Sequence, residues 1–134
     1  MKKMIVVFSF SLLASNAFAG EWTYIDHDDT AALWVQTDSM WRSSGSVKMW
    51  HMYDYRSSIP SLGASSSPKS RRSIVGLAEY DCADRRTRPL QGTAYEDAKG
   101  TGRIAWTLDT EGAWGYIKPG SEDEKRWNIA CKKR

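Results

Sequence analysis

Val47-Lys48-Met49-Trp50-His51-Met52-Tyr53-Asp54-Tyr55 is the stretch on which the fold turns. Val47, Met49, His51, Tyr53 and Tyr55 fall on one face of an extended chain, and Lys48, Trp50 and Met52 on the other. That period of two is the signature of a β-strand. Upstream, Asp38 to Ser46 contains Ser-Ser-Gly and reads as a connection, Ala32 to Thr37 as a second strand, and His27-Asp28-Asp29 as a turn. Glu21 to Asp26 alternates Trp22 and Tyr24 against Thr23 and Ile25 and reads as a first strand. Downstream, ten of the 15 residues from Arg56 to Ser70 are Ser, Pro or Gly, so this segment reads as a mobile loop.

Three more strands follow. Arg71 to Cys82 places Ile74, Ala78, Tyr80 and Cys82 on one face, with Val75 and Leu77 on the other. Arg85 to Tyr95 is a strand made irregular by Pro89 and Gly92; proline cannot donate to a ladder, so an edge or a bulge is expected there. After a turn at Lys99-Gly100-Thr101-Gly102, Arg103 to Asp109 carries Ile104, Trp106 and Leu108 on one side. Consecutive strands joined by short turns give an antiparallel sheet, here of six strands.

The last segment changes period. Ser121 precedes Glu122, Asp123 and Glu124, so Ser121 caps a helix and Glu124 closes a capping box. The acids meet the positive end of the helix dipole, and Lys132, Lys133 and Arg134 the negative end. Trp127, Ala130 and Cys131 form one apolar stripe on a helix of about three turns. A helix that short is marginal alone and needs the sheet. The predicted class is therefore α+β: a six-stranded antiparallel sheet with a C-terminal helix packed on it. Cys82 and Cys131 are the two cysteines. In an oxidising compartment their default is one disulfide, which ties the helix to the sheet; two free thiols are the alternative. A closed loop of about 50 residues is worth roughly 4 kcal/mol in the chain-entropy picture.

Residues 1–19 read as an export signal, with Lys2 and Lys3, an apolar run from Met4 to Ala14, and the small-residue site Ala17-Phe18-Ala19. Cleavage leaves 115 of the 134 residues, one domain over 20–134, and removing the two lysines takes the formal charge from +3 to +1. That charge excludes a uniformly basic nucleic-acid binder. The apolar run is too short to span a bilayer and no later run is longer, so no transmembrane segment is expected. Gly20, not cysteine, follows the cut, which removes the usual lipid attachment point. The destination is the periplasm, the cell surface or the medium.

Catalytic chemistry finds little support. His27 and His51 are the only histidines, and His51 and Asp54 point to opposite faces of their strand. The turn with Asp26, Asp28 and Asp29 lacks the alternating ligands and distal glutamate of a calcium loop. Nucleophile-elbow, phosphate-loop and zinc spacings do not occur. No enzyme, cofactor or metal is expected. The suggestive feature is basic. Arg85, Arg86 and Arg88 open the fifth strand, and a Cys82–Cys131 bridge would bring Lys132, Lys133 and Arg134 to them as a site for an acidic partner. The simpler reading is a solvated surface partly paired with Asp81 and Asp84. Of seven tryptophans, most fill the core, and Trp41 and Trp114, lying in connections, are the candidates for exposed contact.

Taken together, Val47-Lys48-Met49-Trp50, Ala78-Glu79-Tyr80-Asp81-Cys82 with Arg85-Arg86, Tyr95 before a Gly-rich turn, Trp114, Ile117-Lys118-Pro119-Gly120-Ser121 and the helix closed by Cys131 resemble the surface-adhesin protein E family of Gram-negative bacteria. The resemblance implies the same sheet with a disulfide-tethered helix. It implies an exported adhesin that binds host extracellular-matrix or serum proteins, with a homodimer as one assembly open to it. It offers Arg85 and Arg86 as ligand contacts. The competing expectation is a periplasmic inhibitor, for example of lysozyme, or an envelope-stress protein, with the Ser57–Ser70 loop as the inserting element.

Overall fold

A computed structural model describes residues 20–60 and 70–132. The strands are β1 (Thr23–His27), β2 (Ala31–Val35), β3 (Trp41–Ser43), β4 (Ser46–Pro60), β5 (Ser70–Asp81), β6 (Arg86–Tyr95), β7 (Ile104–Leu108) and β8 (Gly115–Tyr116); helix α1 spans Glu122–Cys131. They form one sheet in the order β1-β2-β4-β5-β6-β7, with β3 pairing β4 and β8 pairing β6, and every pair is antiparallel. The six strands of the continuous path are those the alternation predicts. The sheet has eight, however, because β3 and β8 hold three and two residues, too few to display a period. Between β3 and β4 the chain turns through Ser44 and Gly45 at φ +48° and +82°, the two left-handed positions of a type I′ hairpin turn.

The Ser-rich segment also needs correction. Arg56 to Pro60 continues β4, which rejoins β5 at Ile59 opposite Arg71 and Pro60 opposite Ser70 after a register shift. Pairing with β5 overrides a loop-like composition there. The remainder of the expected loop, residues 61–69, lies outside the described residues, as do the export signal, Lys133 and Arg134.

Pro89 sits where its missing N–H costs least. Leu77 faces Gln91 and Ala78 faces Pro89, so Leu90 is an extra, bulged residue. On its other edge β6 pairs with β8 up to Thr87 and with β7 from Gly92, and Pro89 falls in the interval. Its carbonyl accepts the Gly112 amide at 2.8 Å.

The core lies between the helix and one face of the sheet: Leu33, Val35, Val47, Met49, Ala78 and Tyr80 meet Ala130, flanked by Trp127 and Ile129. These sheet residues are the inward set of the predicted alternation. Ser121 caps α1 by accepting the Glu124 amide at 3.3 Å, while the Glu124 carboxylate accepts from the Gly120 amide, one residue before the cap itself. Trp127 donates its indole N–H to the Asp81 carbonyl at 2.9 Å. Cys82 and Cys131 are bridged, with Cα atoms 5.4 Å apart. At the other end of the helix, Lys125 bonds Asp26 of β1 and Glu122, each at 2.9 Å.

Candidate functional site

Two places in the fold gather functional side chains. One is the basic group named by the sequence. Its three arginines split between the two faces of the sheet. Arg85, in the turn before β6 at φ +50°, lies against the helix: its guanidinium bonds Glu124 at 2.8 Å and covers the Trp127 ring at 4.4 Å. Arg86 and Arg88, two residues apart on β6, share the opposite face. Both lie over the Trp114 ring, at 5.1 and 4.6 Å. Arg86 bonds Asp81 at 2.7 Å with Asp84 at 3.6 Å. Arg88 bonds Glu79 at 2.6 Å and Glu111 at 3.1 Å.

Each of these cations therefore has its own carboxylate. Hydrogen bonds from Arg86 and from the Asp84 amide hold the Asp81 carboxyl below its ordinary pKa. Burial disfavours the Glu79 charge, but bonds from Arg88 and Ser46 outweigh it and the net shift is downward. Beside this layer, Tyr116 pairs with Arg86 across β8 and β6 and is 80 % exposed. Trp41 is exposed as expected, whereas Trp114 is half-buried under the arginines. Lys132 is not drawn to the arginines; it lines a separate groove with Asp38, Arg42 and Ile129.

The second place escapes the sequence reading. A cleft of about 460 Å³ opens on the helix side of the sheet. Ile74, Ala78 and Pro89 contribute to its floor; Asp123 and Arg126 of α1 line one side and Ala113, Gly115 and Tyr116 the other. Arg126 and His51 are both only 9 % exposed. Arg126 Nη1 donates to His51 Nε2 at 2.9 Å, Nη2 donates to Asp123, and the guanidinium lies 5.6 Å from the centre of the Tyr53 ring. An arginine only donates, so His51 Nε2 accepts and the neutral ring carries its proton on Nδ1. Burial, reinforced by Arg126, pushes the His51 pKa well below 6.5, which keeps the ring neutral. Gly76, opposite His51 on β5, makes room for it: a Cβ there would lie 2.9 Å from the imidazole. Among the described residues, His51 Nδ1, Arg126 Nε and the nearby Tyr80 hydroxyl have no hydrogen-bond partner. Burial pushes the Tyr80 pKa up to about 12, so that hydroxyl keeps its proton.

The signal for this centre was His51 itself. A polar ring on the inward face of the clearest strand must find a partner. Among the described residues no group of His, Cys, Asp and Glu is arranged to hold a metal ion. Nor is any helix among them long and apolar enough to cross a membrane.

Comparison with known proteins places the fold. The crystal structure of Haemophilus influenzae protein E superposes with a TM-score of 0.60 at 17% identity, over 81% of this chain and 83% of that one. Protein E from non-typeable Haemophilus influenzae gives a TM-score of 0.59 at 15% identity, over 87% and 78%. A second crystal form of the Haemophilus influenzae protein gives 0.58 at 14%, over 74% and 79%. At these identities the likeness is one of fold alone. No curated protein matches the sequence. The comparisons lend no support to a homodimer. The sequence profile of the family described as surface-adhesin protein E matches residues 22–132, and the chain belongs to that family.

Proposed function

We propose that this protein is an exported, non-enzymatic binding protein that acts as an adhesin at the cell surface and engages extracellular-matrix or serum proteins of a host. The observation that carries this reading is the family match over residues 22–132. Residues 1–19 serve as a cleaved export signal, leaving one domain over 20–134.

The contact surface is the arginine–tryptophan layer on β6 and β8. Tyrosine, tryptophan and arginine dominate the energetics of protein interfaces. Here Arg86 and Arg88 are held in place by Asp81 and Glu79, so little side-chain freedom remains to be lost on binding. Tyr116 stands exposed beside them as an aromatic anchor. Arg85, on the helix face, and Lys132, in its separate groove, are not part of this layer; as cations they contribute to steering acidic partners toward the protein.

The test is surface plasmon resonance of the exported protein against a panel of purified matrix and serum proteins, paired with protease accessibility on intact cells. Binding to a matrix or serum protein, weakened about tenfold or more by Tyr116→Ala, is the expected result. Protection from protease in intact cells, with binding only to a periplasmic enzyme such as lysozyme, would replace the adhesin with an inhibitor. Silence across the panel would end the adhesin reading.

A further inference from the structure

We infer that the edge strand β3 and the end of helix α1 dock on the surface of an anionic phospholipid bilayer, with Trp41 entering the headgroup layer and Arg42, Lys48 and Lys132 meeting lipid phosphates. The inference goes beyond the adhesin reading and does not rest on it.

The first observation is uncompensated charge. Arg85, Arg86 and Arg88 each have a carboxylate, whereas Arg42, Lys48 and Lys132 are exposed and form no ion pair among the described residues. Arg42, opposite the core residue Val47, reaches the helix side of the edge and shares a groove there with Lys132. Lys48 lies on the other side, across from Trp41. The acids nearby are Asp38, which lines the groove, and Glu21, whose amide donates to Asp38. Lys133 and Arg134 follow Lys132 in the chain, so this part of the sequence gathers five cations against two acids, while residues 20–134 carry a formal charge of only +1. Each Lys or Arg near an anionic lipid surface strengthens partitioning about fivefold.

The second is the apolar material among these cations. Trp41 is 52% exposed, and Met40 and Ile129 line the same groove as Arg42 and Lys132. A tryptophan beside basic residues is the pairing that seats a protein at the membrane–water interface, because its ring is apolar and its N–H stays wet. The third is freedom. Arg86 and Arg88 are clamped by acids over Trp114, which suits a partner of fixed shape. Arg42, Lys48 and Lys132 have no such clamp and would lose much side-chain freedom against a rigid surface. A fluid headgroup layer rearranges around them instead, which favours lipid over an acidic protein. The strand path β3-β4-β5-β6-β8 then sets four strand spacings, about 19 Å, between the docked edge and Tyr116, so that Tyr116 stays clear of the bilayer.

The experiment is sedimentation of the exported, disulfide-bonded protein with vesicles. Phosphatidylcholine containing about a third phosphatidylglycerol is compared with phosphatidylcholine alone. The anionic vesicles should bind about tenfold more strongly or better, and the difference should fade between about 0.1 and 0.5 M salt. Arg42→Ala with Lys132→Ala should weaken binding about tenfold, and Trp41→Ala about threefold, with melting temperatures unchanged because all three side chains are exposed. Arg56→Ala with Arg103→Ala removes the same charge from exposed positions at the far end of the sheet and should change binding less than about twofold. Equal binding to both vesicles, no sedimentation with either, or an equal loss in the two double variants would each overturn the inference. Capture by soluble polyglutamate without binding to vesicles would overturn it too, and assign the patch to an acidic protein.

Discussion

Arg88 and Arg126 are both arginines fixed to an acid on a neighbouring residue, yet their surroundings are opposite. Arg88 lies at the surface of β6 with a carboxylate on each side and a tryptophan beneath it. Arg126 lies under the helix with one carboxylate, one imidazole and more N–H groups than those two partners take. In the first region charge is satisfied and the groups are rigid; what remains for a partner is shape and aromatic area. In the second the donors exceed the acceptors, and what remains is chemistry. A cluster of positive residues in a sequence thus marks the region of the fold whose charges are already balanced, whereas the buried cation is one member of an ordinary Lys125-Arg126 pair in a helix.

The bluntest way to break the comparison is to remove the support common to both regions. Cys131→Ser should lower stability by about 4 kcal/mol in urea unfolding and speed hydrogen exchange throughout α1. Identical unfolding of oxidised and reduced protein would contradict it. Arg126→Ala separates the two regions. It strips His51 Nε2 of its donor and opens a space under the helix, at a cost of about 2–3 kcal/mol, while the Trp114 environment seen by fluorescence stays as it was. A loss under 1 kcal/mol would mean that the buried pair carries little of the fold. Glu79→Gln is the counterpart in the surface layer. Glu79 is 7% exposed and takes both Arg88 and Ser46, so its loss of charge should cost about 1–2 kcal/mol and loosen Arg88 from Trp114.

Acid sharpens the contrast with no mutation at all. His51, faced by Arg126 and Tyr53, has a folded-state pKa below its ordinary 6.5. The unfolded chain therefore takes up that proton first, and the stability His51 contributes is present above pH 6.5 and lost as pH falls toward the folded value. Asp81 and Glu79, both lowered, contribute stability above their ordinary values of 3.8 and 4.5 and lose it only below them. Unfolding measured from pH 7 to 3 should thus decline in two stages, and His51→Phe should remove the first. A single decline below pH 4.5, with nothing above it, would show that the buried imidazole does not set acid sensitivity.

The sequence made the sheet legible wherever alternation ran for five residues or more, and the helix wherever a cap, an acidic first turn and an apolar stripe coincided. It failed at β3 and β8 because two or three residues carry no period, and at Arg56–Pro60 because pairing with β5 is a long-range fact that composition does not record. The arginines of β6 were found, but their partition onto two surfaces depended on the turn at Arg85. Arg126 was invisible for a different reason. One residue before the stripe that begins at Trp127, it reads as the solvated flank of an amphipathic helix. Its burial is decided by a histidine 75 positions away and by the space that Gly76 leaves.

The helix is fastened at its two extremities by bonds of unlike kinds: sulfur to sulfur near Cys131, and an ammonium between carboxylates at Lys125. These respond to different agents. A thiol reductant frees the tail end and leaves the ionic end seated; concentrated electrolyte weakens the ionic end and leaves the covalent one intact. The same rod can therefore be unhitched from either side, and the side chosen decides whether the crevice beneath its first turns widens or keeps its shape.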